Sequence, residues 1–283
     1  MKGILYEIKK QNYLLIFIIE IIGIICTCIS SSCYTDEKGK TYTVLGMIFN
    51  TDGIDMSNYI SLNQIEVWRC GFGTWSYILL PLFVGLGYIY VISEERKNGM
   101  LCSILIRESR MQYCISKMVS CMITSGFLIL LGYMIYGLIV MLVFPNLTDY
   151  SINDVIYYME LTGIDSIVMY ILKRLSLVFL YGICLGVYSF IVAIFFTDKY
   201  ILICLPMMIS YIHYSFINKI SIQMMQMENW SGLEFIQVFQ IKNVLDATSF
   251  IKQMFTLLFV LIFYLLFLLI FFRSIKNMER GLK

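Results

Sequence analysis

An all-α polytopic membrane protein, with six transmembrane helices and both termini cytoplasmic, is the fold class this sequence predicts. Three observations lead there. Of the 283 residues 59% are hydrophobic and only 14% charged, with a mean hydropathy of +0.79; a soluble domain carries about 25% charge. Six apolar runs approach the roughly 20 residues that cross about 30 Å of hydrocarbon. Placing both ends inside puts thirteen Lys and Arg residues on the cytoplasmic side and eight on the other. The outer loops are much the longer, so the bias follows the positive-inside rule.

The chain reads as one transmembrane domain over residues 1–283. Its spans fall at about 13–29, 75–92, 115–144, 175–196, 200–217 and 254–272. Each must be helical, because backbone polar groups in lipid have to be satisfied within the segment. The opening MKGILYEIKKQNYLLIFIIE has the lysines and apolar core of a secretory signal. The apolar run passes into CISSSCYT with no A-x-A-like cleavage site, so it is expected to remain as the first span. Only three prolines occur, which suits long uninterrupted helices.

Three outer loops separate the spans, at 30–73, 145–174 and 218–252. The stretch 146–166 contains no Lys or Arg, yet holds Asp149, Asp154, Glu160 and Asp165. Lys173 and Arg174 are expected to snorkel from the fourth span towards the interface. The link between the fourth and fifth spans is only Thr197-Asp198-Lys199.

Segment 93–114 differs from all of these. It is strongly charged and lies between two spans, with Glu94, Glu95, Arg96, Lys97, Arg107, Glu108 and Arg110. Ser93–Lys97 extends the second span into the cytoplasm. Asn98-Gly99 turns the chain, since both residues tolerate left-handed backbone. Met100–Ile106, with Leu101, Ile104 and Leu105 on one side, predicts a short amphipathic helix along the membrane surface. Ser109-x-x-Gln112 matches a capping box, so a new helix starts there and becomes the third span. A charged hairpin of this kind is also common in polytopic proteins with no special task.

The residues EERKNGMLCSILIRESRMQYCISKMV resemble the loop after the second span in ABC type-2 transporter permeases. The matching positions are Glu94, Glu95, Arg96, Gly99, Leu101, Leu105, Ser109, Arg110, Tyr113 and Lys117. The close match covers about two dozen positions, and the six-span layout agrees across most of the chain. Met100 stands where many members have threonine, and the size of the outer loops leaves the substrate class open. The resemblance implies the membrane-spanning subunit of an ATP-binding cassette exporter. Met100–Ile106 would then dock on a cytoplasmic ATPase subunit, and Glu94, Glu95 and Arg96 would brace it against neighbouring helix ends. Gly99, Leu101, Leu105 and Arg110 complete the implied ATPase-coupling set.

A second permease chain, identical or a sister, would complete the pathway within membrane lipid. The chain lacks G-x-x-x-x-G-K-[ST], so ATP and Mg would sit on the partner ATPase and this chain would be no enzyme and carry no cofactor of its own. Family habit implies export of a hydrophobic or peptide-like substrate, such as an antimicrobial peptide in secretion or immunity, in a bacterial plasma membrane.

Other residues point less sharply. Glu20 stands alone among isoleucines in the first span. An ionisable group there is expensive and marks a functional position or a bundle contact. Gly182-x-x-x-Gly186 permits close helix approach. His213 is the only histidine and has no Cys, Asp or Glu at ligand spacing, so no metal site is expected. The nine cysteines include no Cys-x-x-Cys pair; Cys33 and Cys70 share the first outer loop, as a disulfide or as two thiols. Net charge is +2 and no basic cluster is dense, so no nucleic-acid partner is expected. Two other classes stay open: a polytopic membrane enzyme and a non-transporting membrane sensor.

Overall fold

The structure, a computed structural model, describes residues 14–35, 39–49, 59–97, 100–152, 155–156, 158–159, 166–228, 230–245 and 250–281. Almost all of it is helical. Helix α1 (Leu14–Ile29) leads into a two-stranded antiparallel ribbon, β1 (Ser32–Thr35) and β2 (Thr41–Thr43). Short helices α2 (Val44–Ile48) and α3 (Gln64–Arg69) follow. Then come α4 (Thr74–Lys97), α5 (Met100–Arg107) and α6 (Arg110–Val143). The chain continues as α7 (Ile167–Phe195), α8 (Lys199–Gln226), α9 (Trp230–Gln237) and α10 (Phe250–Gly281).

Four helices, α6, α7, α8 and α10, are long and apolar enough to cross a membrane. Helix α4 makes a fifth if its two halves, bent by 48° between Leu86 and Val91, count as one span. The bend follows Pro81 and lies beside Gly85 and Gly87, the residue types that ordinarily kink helices. Helix α1 is a shorter apolar helix of 16 residues. Two of the three prolines, Pro81 and Pro206, sit inside helices, so a low proline count did not mean unbroken spans.

Helix α7 is the centre of the bundle. It packs on α6, α4, α8 and α10, while α1 packs on α4 and α6. Along α7 every residue from Cys184 to Phe190 is buried. Gly182 explains the tight α6–α7 seam: a Cβ there would lie 2.7 Å from the Ser125 carbonyl oxygen and 2.8 Å from Gly126 Cα. Two backbones meet where neither residue has room for a side chain, which is how small residues bring membrane helices together. The Gly182–Gly186 motif therefore packs within this one chain. Helices α8 and α10 lie outermost, with Tyr200, Ile212, Phe216, Phe255, Leu258 and Leu266 all exposed. Such apolar surface suits lipid.

One end of the bundle is capped by the ribbon, α2 and α3. The predicted polar loop 30–73 is thus partly folded. Asn63 caps α3 by accepting from the backbone N–H groups of Ile65 and Glu66, both at 2.9 Å. Tyr133 and Tyr136 of α6 donate from their hydroxyls to the carbonyls of Trp68 and Val67, each at 2.8 Å. The Trp68, Phe72 and Tyr133 rings stack at 4.6–4.9 Å between centroids. Trp68, Tyr133 and Tyr136 marry a polar tip to an apolar body and, with Phe72, seal the cap onto the bundle.

Candidate functional site

The opposite end of α4 carries the charged segment. Helix α4 ends at Lys97, and α5 then runs over Met100–Arg107, as the amphipathic spacing predicts. Asn98 and Gly99 lie outside the described residues. Helix α6 begins with the expected capping box. The Ser109 hydroxyl accepts from the Gln112 N–H at 3.3 Å, and the Gln112 side-chain oxygen accepts from the Ser109 N–H at 3.2 Å.

Between α4 and α6 lies a buried ionic knot. Glu95 is 1% exposed and Lys117 is fully buried. The Lys117 ammonium sits 2.9 Å from one Glu95 carboxylate oxygen and 2.8 Å from the other. The Tyr113 hydroxyl donates to that second oxygen at 2.9 Å. The two charges neutralise each other, and the phenol fills a further acceptor position. A charge pair this deep persists only with such satisfaction. Glu95, Tyr113 and Lys117 all belong to the segment that carries the family resemblance.

The neighbouring residues of α4 reach the C-terminal end of α7. Arg96 donates from one guanidinium nitrogen to the carbonyls of Ala193 and Ile194, both at 2.9 Å. The Ser93 hydroxyl donates to the Thr197 carbonyl at 2.8 Å. A cation against the unpaired last carbonyls of a helix is favourable both as a hydrogen bond and against the helix dipole. The base of α4 is therefore fastened to α6 by Glu95 and to the end of α7 by Arg96 and Ser93.

The described side chains of α5 fall on two sides. Leu101 is buried, and Ile104 and Leu105 pack partly buried against the core. Ser103, Ile106 and Arg107 face outward, with Ile106 86% exposed. Leu101 and Leu105 thus anchor the helix, and the surface open to a partner is the Ser103–Ile106–Arg107 side. Glu94 is half-buried, and Arg110 opens α6 in a half-buried position. Glu20 is 2% exposed within the chain's own bundle; it faces neither lipid nor an open cleft.

A hollow of about 290 Å³ lies between α1, α4 and α8 near this end. Ile16, Ile19, Leu86, Ile89 and Leu202 line it, and Ser93 adds a hydroxyl. The hollow shares Ser93 with the α4–α7 fastening.

At the capped end Arg174 takes a role that its place in the sequence does not announce. Instead of snorkelling, it is 8% exposed and spans three elements. It donates to the Leu245 carbonyl at 2.8 Å, the Arg69 carbonyl at 3.0 Å and the Tyr133 hydroxyl at 3.4 Å. Arg69 ends α3, and Leu245 follows the turn Ile241–Val244. One guanidinium thus closes two helix ends over α7. Lys173, its neighbour in sequence, is exposed.

Cys33 and Cys70 are both thiols. Burial is the main cause that pushes Cys33 up to about 12, with Cys70 nearby adding to it. Burial likewise raises Cys70 to about 11, and Glu66 contributes.

Comparison of the chain with protein-family models, with curated proteins and with solved structures finds no match. The functional reading therefore rests on the residues and their geometry.

Proposed function

We propose that this chain is the permease subunit of an ABC type-2 exporter, spanning the membrane six times with both termini in the cytoplasm. Helix α5 is its coupling helix. A separate cytoplasmic ATPase binds ATP and Mg and pushes on the outward side of α5. The cargo is hydrophobic or peptide-like, and a second permease chain completes the pathway.

The observation that carries this reading is the fastening of the α4 base. A force applied at Ile106 and Arg107 enters a short helix whose Leu101 side is buried in the bundle. From there it reaches α6 through the Glu95–Lys117–Tyr113 knot and α7 through Arg96 and Ser93. The charge-assisted bonds among these are the short, strong kind, so a push is passed on to α6 and α7 rather than absorbed at the α4 base. Rocking of α4 against α8 would reshape the apolar hollow that those helices share with α1. Its lining suits an apolar cargo.

The test is to purify the tagged chain from its native membrane and look for a co-purifying ATPase and cargo-stimulated hydrolysis. Ile106→Asp at the exposed face is expected to abolish both while the chain stays folded. Retention of the ATPase and full stimulated activity in that variant would remove the basis for the assignment.

A further inference from the structure

The hollow between α1, α4 and α8 has a buried floor and an open mouth. Ile89 and Leu202, 3% and 1% exposed, form the floor, and Ile19 and Ile203, 47% and 38% exposed, form the mouth. Among the described residues its walls are aliphatic, with no aromatic ring. Ser93 brings the one polar side chain among them, and its hydroxyl is spent on the Thr197 carbonyl at 2.8 Å. A water held in a cavity needs two to four polar partners, and this lining offers none that is unspent. At about 290 Å³ the hollow has roughly twice the volume of an apolar cavity that takes up benzene, about 150 Å³.

Two further features surround it. Ile18 and Ile22 of α1 and Ile201 of α8 are exposed beside the mouth, so the hollow is continuous with apolar surface that suits lipid. Ile89, Ser93 and Lys97 stand four residues apart and so share one side of α4. From Leu86 to Ser93 the hollow follows α4 for about 10 Å, and Lys97 lies one turn further out, about 6 Å. Lys97 is exposed and ends α4. Among the described residues no carboxylate pairs with it, whereas its neighbour Arg96 is committed to the Ala193 and Ile194 carbonyls.

We propose that the hollow and Lys97 together bind one anionic phospholipid. An acyl chain fills the hollow, and the headgroup phosphate meets the Lys97 ammonium. A peptide segment would bring backbone N–H and C=O groups that the described lining cannot bond. An aromatic compound would find no ring to pack against. A saturated chain asks for neither, and a lipid without net charge leaves Lys97 unused. The proposal names the chemistry of the apolar occupant in the permease reading. It rests on that reading for placing this end in the cytoplasmic leaflet, where anionic lipids create a negative surface.

The test titrates the full chain, purified in maltoside detergent, with dipalmitoyl phosphatidylglycerol and counts bound lipid by native mass spectrometry. One lipid per chain is expected to bind saturably, and dipalmitoyl phosphatidylcholine about fivefold more weakly, the equivalent of one lysine at an anionic surface. Lys97→Gln should weaken phosphatidylglycerol by the same factor, while Lys97→Arg retains it. Ile203→Trp, at a partly exposed position, should close the mouth and weaken binding at least tenfold with the helical circular dichroism unchanged. Dihexanoyl phosphatidylglycerol keeps the headgroup but has too short a tail for the hollow. Each methylene left unburied corresponds to roughly fourfold, so it should bind at least tenfold more weakly. Lys173→Gln, an exposed lysine at the capped end, should change nothing. Ile106→Asp should also leave the lipid bound, so loss of the ATPase and loss of the lipid are separate results. Equal binding of phosphatidylcholine or of the six-carbon analogue overturns the proposal. So does unchanged binding in both Lys97→Gln and Ile203→Trp.

Discussion

Consider removing one charge from the knot at the base of α4. Glu95 and Lys117 are both buried, with nitrogen and oxygen 2.8–2.9 Å apart. At an effective dielectric constant of about 20, unit charges near 3 Å attract by about 6 kcal/mol. Desolvating the two ions costs several kcal/mol each, so the intact pair contributes little net stability. Breaking it is another matter, because one charge then stays buried without the partner that held it at 2.8–2.9 Å. Glu95→Gln or Lys117→Met is therefore expected to cost about 3–5 kcal/mol. The double variant Glu95→Gln/Lys117→Met removes both charges and should cost less than the sum of the two. Tyr113→Phe deletes only a hydrogen bond to a charged acceptor, at about 1.5–3 kcal/mol. Denaturant unfolding in detergent micelles, followed by helical circular dichroism, supplies the double-mutant cycle. Single variants that lose under about 1 kcal/mol, or costs that simply add, would refute the reasoning, because the pair would then not act as a buried unit.

Further predictions concern the seam, the capped end and its thiols. Gly182→Leu should push α6 and α7 apart, since backbone atoms stand 2.7–2.8 Å from the added Cβ. The loss should be at least the roughly 1–3 kcal/mol usual for overpacking, read by the same unfolding assay, with Leu138→Ala on the exposed face as a neutral control. Arg174→Gln should free the Leu245 and Arg69 carbonyls from their charged donor. Hydrogen exchange over residues 241–245 should then quicken about tenfold or more, the equivalent of one lost charged hydrogen bond, while α7 stays protected. Cys70, raised to about 11, should be about a hundredfold less thiolate at pH 8 than a thiol at its ordinary value. A raised thiol pKa favours the protonated form in the folded state. Iodoacetamide labelling mapped by mass spectrometry should thus stay slow at pH 8 and rise as pH approaches about 11; fast labelling at pH 8 contradicts this burial.

What the sequence revealed depended on how local the signal was. The Ser109–Gln112 box lies within one turn, so its geometry follows from residue types alone. The amphipathic spacing of Leu101, Ile104 and Leu105 marks α5 and its inward side. The resemblance nonetheless assigns Leu101 and Leu105 to a docking contact, whereas Ile106 is the apolar residue left outside. Lys117 counts as a cytoplasmic charge in the sequence because its partner lies far along the chain in Glu95. The two meet only because α5 returns α6 alongside the end of α4. Arg174 misleads for the same reason. A Lys-Arg doublet before an apolar run reads as interfacial, but its acceptors, Arg69 and Leu245, come from loops far away in sequence. The ribbon escapes a reading of the sequence because strands of four and three residues carry too little alternation to separate from a polar loop.

Whether another protein's nucleotide cycle moves α5 comes down to what touches Ile106. A photo-crosslinking amino acid in place of Ile106, activated in native membranes, should trap one cytoplasmic protein bearing a Walker nucleotide-binding motif. The same probe in place of Leu138, exposed on the bundle flank, should not trap it. Adducts at position 106 with lipid alone, or with a protein from the outer side of the membrane, would contradict a coupling role for α5.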